Sequence, residues 1–455
     1  TTMPDVIRQT VDRSSCVDEA VERFLDEVHD WARAAIEHTG PNYTSDSHDG
    51  GTFMTPWLVL MQAREVPDVF DFFKAYRDAA KAHFEQAGHW HHGYWKQQEA
   101  HHGTEHFDIY LHTLWQLQPD DDATHRQMID AAEHILNRVP EVPAWYEVET
   151  DRFISFYLGT EQVGKPGPQR PDHLRFTSMA LHVHDMTGGM DYLEHAARYV
   201  ADWADAIQQG PALPRGLDAD GGIYDSSNDD ESDFRSACGA APTDLSANDK
   251  RAENLLASGA CDTLLRLYQK TGVVQFDLAA RRILDVAAPA LADAAAWQVQ
   301  GGIGRYRDAT GSTRWDDDIA RVPDRSIRPV DTLVMHPEVD HPRENFRVGR
   351  RHDMPVYKDD HGDEAPSPLL QMLVGRVTDN DDLKRHALDV GRTMLAMARR
   401  AYGDVNQHGC TSRAAHSIAR GHGRRNGCGV VTEVLGSIIR DRLKARHEED
   451  SPLSS

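Results

Sequence analysis

The sequence predicts an all-α fold, an (α/α) toroid of six or seven antiparallel helical hairpins with long loops at one end. Three observations carry that reading. Apolar residues recur at helical spacing along most of the 455 residues. Strand signals are scarce, confined to Gly222-Ile-Tyr224 and Gly302-Ile-Gly-Arg-Tyr306, which predict a small ribbon. One turn layout also recurs, at Met186-Thr-Gly-Gly-Met-Asp-Tyr-Leu193, Lys270-Thr-Gly-Val-Val-Gln-Phe276 and Val377-Thr-Asp-Asn-Asp-Asp-Leu383, with a poorer copy at Ala63-Arg-Glu-Val-Pro-Asp-Val-Phe70. In each, an apolar helix ends, the chain turns within a few residues, and a striped helix returns. Short connections make such helices antiparallel neighbours, and hairpins of this size stack side by side until the ring closes.

The elements follow in order. Val17 to His38 carries Val21, Phe24, Leu25, Val28, Trp31 and Ala35 on one stripe, an amphipathic helix. A Gly/Asp/Ser-rich loop, Gly40 to Gly51, separates it from helical stretches at Pro56–Arg64 and Val69–Phe84. A His/Gly/Trp loop runs from Gly88 to about His101, and helices at Glu105–Leu117 and Ala123–Asn137 come next. After an aromatic connector, helices fit Asp172–Met186 and Tyr192–Gln209. Residues Gly210 to Ser246 read as a long irregular stretch, helices resume at Arg251–Lys270 and Phe276–Ala295, and Gly301 to Pro366 reads as a second irregular stretch. Pro368–Arg376, Asp382–Ala401 and Val430–Arg446 complete the ring. The expectation is one catalytic domain over 1–455, with loop insertions at 210–246 and 301–366.

Charge narrows the partners. Lys+Arg is 49 and Asp+Glu 73, a formal net charge of −24, which argues against nucleic acid and anionic membranes. There are 51 Asp against 22 Glu and 40 Arg against 9 Lys. Short acidic side chains with few lysine stems suit a protein from high salt, a halophile. A GC-rich genome also favours Arg over Lys but does not produce −24. No apolar run reaches the ~18 residues needed to span a bilayer. Thr1 to Thr10 has no basic-then-apolar leader, so the expected location is cytoplasmic, or extracellular with the leader removed. The five cysteines form no Cys-x-x-Cys pair, which excludes a cysteine zinc cage.

Chemistry concentrates in Gly88–Tyr110, which holds six His, two Trp, two Glu and a Lys. His102, Glu105 and His106 stand at i, i+3 and i+4, so a helix there places them on one face, as imidazole and carboxylate ligands of a divalent ion require. His89 on the preceding loop adds a fourth ligand. Mixed ligation of this kind suits Mn, Ni, Fe, Zn or Ca without choosing among them. Trp90, Tyr94, Trp95, Trp145 and Tyr146 are of the type that stacks on sugar rings, or packs a core. Near the C-terminus, Thr411–Gly429 gathers Arg413, His416, Arg420, His422, Arg424 and Arg425, a positive cluster in a negative chain. Arg413, His416 and Arg424 are candidates to grip a carboxylate. His182 and His184 fall within a helix and read as structural.

Gly88-His89, the His102–Tyr110 block, and the acidic turn Leu117-Gln-Pro-Asp-Asp-Asp-Ala-Thr124, followed by a helix ending at His134, resemble the metal-dependent exo-acting pectate lyases with an (α/α) barrel. The likeness covers about a sixth of the chain. It implies His89 and Glu105 as metal ligands and Arg152 as the residue that abstracts the C5 proton. Phe153 stands where the family has a second His ligand, and His102 or His106 takes its place. A guanidinium is a poor base, so Lys96 and Tyr94 compete with Arg152 for that role. The expected function is β-elimination on a uronate-containing, pectate-like poly- or oligosaccharide, the metal or an Arg stabilising the enediolate. Three alternatives stay open. One is an (α/α) glycoside hydrolase acting on uronides through two carboxyl groups among Glu105, Asp108, Glu147 and Asp151. A sugar epimerase using paired His and a non-catalytic glycan-binding protein are the others.

Overall fold

The computed structural model describes residues 6–39, 51–88, 90–91, 94–95, 100–139, 144–154, 168–224, 247–293, 296–336, 356–404 and 430–449. Helices dominate. In chain order they are α1 (Val17–Thr39), α2 (Leu58–Ala63), α3 (Pro67–Ala87), α4 (Ala100–Glu105), α5 (His112–Leu117), α6 (Asp122–Ile135), α7 (Leu174–Thr187), α8 (Met190–Gln209) and α9 (Ala247–Ala257). They continue with α10 (Ala260–Thr271), α11 (Val274–Ala287), α12 (Trp297–Thr310), α13 (Asp316–Ala320), α14 (Asp324–Ile327), α15 (Pro368–Val377), α16 (Asp381–Tyr402) and α17 (Gly436–Glu449). A π-helical turn, His106–Leu111, joins α4 to α5, and a second, Val430–Leu435, leads into α17.

Two helical layers follow from the burial patterns. The outer helices α1, α3, α6, α8, α11 and α16 are striped; α1 buries only Ala20, Val21, Phe24, Leu25, Val28, Trp31, Ala32 and Ala35. The inner helices are apolar and buried on every side, as in α7 from Leu174 to Val183 and α15 from Pro368 to Gly375. Inner helices pack in sequence around a ring: α2 on α5, α4 on α7, α7 on α10, α10 on α12, α12 on α15, α15 on Val430–Leu435, and α17 back on α2. Outside, α1 packs on α16 and closes the outer layer. The fold is an all-α toroid.

A three-stranded sheet occupies the outer position before α16. Strand β1 (Ile7–Thr10) pairs antiparallel with β6 (Thr332–His336), which pairs with β7 (Val356–Lys358). Two hairpins of two-residue strands lie between β1 and β6 in the chain, with β2 (Trp90–His91) paired to β3 (Tyr94–Trp95) and β4 (Tyr146–Glu147) paired to β5 (Arg152–Phe153).

The inner-to-outer turns share one device. Thr187, Thr271 and Thr310 each precede a glycine in the left-handed region, Gly188, Gly272 and Gly311. Each threonine Oγ1 donates back to a carbonyl four residues earlier, at 2.8, 2.6 and 2.7 Å, and accepts from the amide two residues on, at 3.1, 3.2 and 3.2 Å. A glycine is needed there because a Cβ is strained at positive φ.

Two expectations are corrected. Gly301–Thr310 is not irregular, and Gly302–Tyr306 is not a ribbon: both lie in helix α12. Its glycines are contact points rather than breakers. A Cβ on Gly302 would lie 3.0 Å from Leu284 Cδ2 and 3.2 Å from Leu256 Cδ2, so only glycine lets α12 sit this close to α11 and α9. The helix expected over Arg251–Lys270 is broken at Ser258–Gly259 into α9 and α10, with Gly259 at φ +78°.

Ion pairs tie inner helices to each other. Arg305 of α12 reaches Asp262 of α10 at 3.1 Å and Glu433 at 2.8 Å. Arg376 of α15 bridges Asp308 of α12 at 2.6 Å and Asp441 of α17 at 2.8 Å. Asp185 of α7 holds Arg266 of α10 at 2.9 Å and also Lys270. Among the described residues, no helix is long and apolar enough to cross a membrane.

Candidate active site

Connection lengths choose the end of the ring. From outer to inner helices the chain uses long segments, among them 40–51, 88–99, 136–170, 210–246 and 403–429. From inner to outer it uses 64–66, 118–121, 188–189, 272–273 and 378–380. Every inner helix therefore begins at the end where the long connections leave and return. Amino termini of helices favour negative charge, and loops at one end of a rigid scaffold are where sites form.

Two neighbouring inner segments, α4 and the start of α7, pack together. Helix α4 packs against Pro171–His173 and against α7, which follows it. Each segment carries a buried carboxyl group: Glu105, the last residue of α4, and Asp172, in the first turn of Pro171–His173, are both 1% exposed. Pro171 starts its turn at a position where a missing N–H costs nothing, and Asp172 lies in the first turn. Asp172 Oδ1 accepts from Arg175 Nε at 3.1 Å, and the same guanidinium donates to the Ala257 carbonyl at 2.9 Å. The His173 ring stacks on Phe153, centroids 5.7 Å apart and planes 8° from parallel. Its Nδ1 accepts the Arg170 amide at 2.8 Å, which assigns the ring proton to Nε2.

Deeper between the same helices lies a second polar group. Asp108, on the π-helical turn, is 2.7 Å from His182 Nε2, and the His112 ring stacks on His182 with centroids 3.6 Å apart. Ser178 Oγ lies 3.4 Å from that same Nε2. Serine, histidine and aspartate are thus together, but both partners face one nitrogen. A nucleophile relay needs the two ring nitrogens on opposite tasks, so this is a helix-to-helix tie rather than a triad. Burial holds both His182 and His112 well below the ordinary histidine range, with the Arg266 cation acting in the same direction.

The residues singled out in sequence fall as follows. Glu105 is the last residue of α4, where the π-helical turn begins, and is buried. His106 is buried beside the rings of Phe84 and Tyr110, centroids 6.0 and 5.2 Å away, and burial pushes its pKa down to about 3. His102 lies within helix α4, so the i, i+3, i+4 spacing of His102, Glu105 and His106 is realised on helical backbone. Adjacent helix positions diverge by about 100°, so Glu105 and His106 do not point together. Among the described side chains, no group of three or more His, Cys, Asp or Glu is gathered for a metal.

Arg152 is 2% exposed and fully engaged. It reaches Asp202 at 2.6 Å, the Asp151 carbonyl at 2.8 Å and the Asp218 carbonyl at 3.4 Å. Those contacts tie β5 to α8 and to the 216–224 turn. Trp145 is buried, with its ring 6.2 Å from Phe176 and its amide donating to Asn137 Oδ1 at 2.9 Å. The register of the small hairpin sets Trp90 opposite Trp95 and His91 opposite Tyr94. His89, Lys96, Arg413, His416 and Arg424 lie outside the described residues. Asp172, His173 and Arg175 escaped the sequence reading. Their only signal, Pro171-Asp172 ahead of an apolar run, is an ordinary helix start.

Neither known protein families nor curated proteins gave a match to the chain. Among solved structures it is similar to an unsaturated glucuronyl hydrolase from Streptococcus agalactiae. Identity is 12%, the TM-score is 0.45, and the alignment covers 86% of this chain and 98% of that one. A likeness of that degree assigns neither residues nor a reaction.

Proposed function

We propose that the protein is a glycan-processing hydrolase that cleaves a uronate-containing oligosaccharide with Glu105 and Asp172. One observation carries the reading: two buried carboxyl groups on inner segments that pack together, Glu105 as the last residue of α4 and Asp172 in the Pro171–His173 turn that leads into α7. Glycoside hydrolysis needs two carboxyl groups flanking the scissile bond. Glu105 is assigned as the acid that protonates the leaving oxygen. Asp172, ion-paired with Arg175, is assigned to the water side, taking its proton as the C1–O bond breaks. An acidic sugar entering a chain of charge −24 needs local cations, and Arg170 and Arg251 lie with Asp172 at the end where the long connections meet.

The test offers uronate oligosaccharides, with saturated and with 4,5-unsaturated non-reducing ends, and follows both reducing ends and ultraviolet absorbance. New reducing ends without a rise in absorbance are expected. Glu105→Gln and Asp172→Asn should each lower the rate by about 10²-fold or more while leaving the fold intact.

The lyase reading keeps one observation of its own. The β2–β3 register sets His91 opposite Tyr94, and β3 packs on α4, which holds Glu105. A tyrosine–histidine pair suits proton abstraction, with Arg152 and Lys96 as the other candidate bases. Trp90, Trp95, Trp145, Arg413, His416 and Arg424 would then hold the glycan. A divalent ion on His89, His102 and Glu105 or His106 belongs to that reading, and His106, enclosed by aromatic rings, fits least. A rise in absorbance abolished by chelator would replace the hydrolase with the lyase.

A further inference from the structure

We propose that Arg175 is the positioning residue of the carboxyl pair: it fixes the Asp172 carboxylate by anchoring it to the break in the neighbouring inner helix. The inference rests on the reading of Asp172 given above. Arg175 and Asp172 are each 1% exposed and only three residues apart, so two charges are taken out of water in one turn. Such a pair rarely stabilises a fold relative to apolar residues of the same size, since desolvation of both ions offsets their attraction. Its presence is better explained by what it holds in place.

The guanidinium geometry supports this. Nε donates to Asp172 Oδ1 at 3.1 Å, and the other branch, Nη2, donates to the Ala257 carbonyl at 2.9 Å. Ala257 is the last residue of α9, where the inner rod breaks at Ser258 and Gly259 before α10 begins. An unbroken helix would direct that carbonyl to the amide four residues on. The interruption, with Gly259 at φ +78°, coincides with the carbonyl that meets Arg175. Arg175 thus spans two inner helices, and its rigid planar fork sets the distance between the Asp172 carboxylate and the α9 terminus. Lysine cannot do this, because its donors sit on one nitrogen at the end of a flexible stem and lack the fixed planar spacing of Nε and Nη2.

Arg175→Lys preserves the charge and removes the fork, so it is the discriminating variant. With an unsaturated uronate disaccharide as probe, kcat should fall by about 10²-fold with KM within threefold of wild type, and the acidic limb of the kcat–pH profile should move. A crystal structure of Arg175→Lys should show the Asp172 carboxylate displaced within an unchanged ring. An undisplaced carboxylate overturns the proposal whether or not the disaccharide is cleaved; so does wild-type kcat with an unmoved pH profile. Asp172→Asn separates the two readings. If it retains more than a tenth of the activity, the carboxyl-pair assignment fails. If it is inactive while Arg175→Lys is indistinguishable from wild type, only the positioning role fails.

Discussion

Acid should unfold this protein through its buried histidines, well before its carboxylates titrate. His106, His182, His195 and His386 are 2, 4, 3 and 7% exposed. Burial lowers His106 and His195 to about 3 and His386 to about 4, and holds His182 and His112 well below their ordinary value. The unfolded value is about 6.5. A histidine depressed in the folded state contributes its full stability above the unfolded pKa and loses it as pH falls toward the folded pKa. The window is therefore pH 6.5 down to about 4. At pH 5 each unfolded imidazole gains about 2 kcal/mol from protonation that its folded counterpart forgoes. Five such groups sum to about 10 kcal/mol, against less than about 1 kcal/mol at pH 7. A domain has about 5–15 kcal/mol in total, so most of the margin goes between pH 7 and pH 5. Urea unfolding at fixed salt, followed by far-ultraviolet circular dichroism at pH 7, 6 and 5, measures the slope. About five protons should be taken up on unfolding near pH 5, and about four in His195→Gln, whose ring lies edge-on to Tyr146 and Phe153. Uptake of fewer than one proton over that range would refute the reasoning.

Two further outcomes are expected. Gly302→Val forces side-chain atoms into Leu284 and Leu256, already 3.0 and 3.2 Å from a hypothetical Cβ, and should cost about 1–3 kcal/mol in urea titrations, whereas Gly304→Ala, inside the same helix with its nearest contact Leu373 at 4.0 Å, should stabilise by about 0.5–1 kcal/mol. Raising sodium chloride from low to molar concentration should raise the melting temperature, because screening relieves the self-repulsion of a chain at −24; a fall would mean that the inter-helix ion pairs dominate instead.

The ring was legible because it is built by repetition. Stripes in α1, α8 and α16 and the Thr-Gly turns at 187–188 and 271–272 state the hairpin rule in the sequence itself. Helix α12 was misread because Gly301, Gly302 and Gly304 count against a helix in isolation, while packing against Leu256 and Leu284 requires a glycine at 302. A third Thr-Gly pair, Thr310-Gly311, was the available signal for its end. The carboxyl pair was half legible. Glu105 stood out among histidines, whereas Asp172 gains its meaning from the packing of its turn against α4, a long-range contact between elements that no local pattern encodes. Trp145 shows the converse: an aromatic residue of sugar-stacking type whose ring is enclosed by the core.

The separation of short Thr-Gly turns from long connections has a consequence for how this protein can change. Folding information is concentrated in caps and stripes that face one way, and chemical identity in segments that face the other. Segments such as 210–246 or 403–429 can therefore be exchanged for others of different length without rewriting the register of any helix pair, since the entropy of closing a loop grows only slowly with its length. The ring is in effect a chassis with a fixed underside, and a library randomised on the open side alone samples new substrates while every member inherits the same stability.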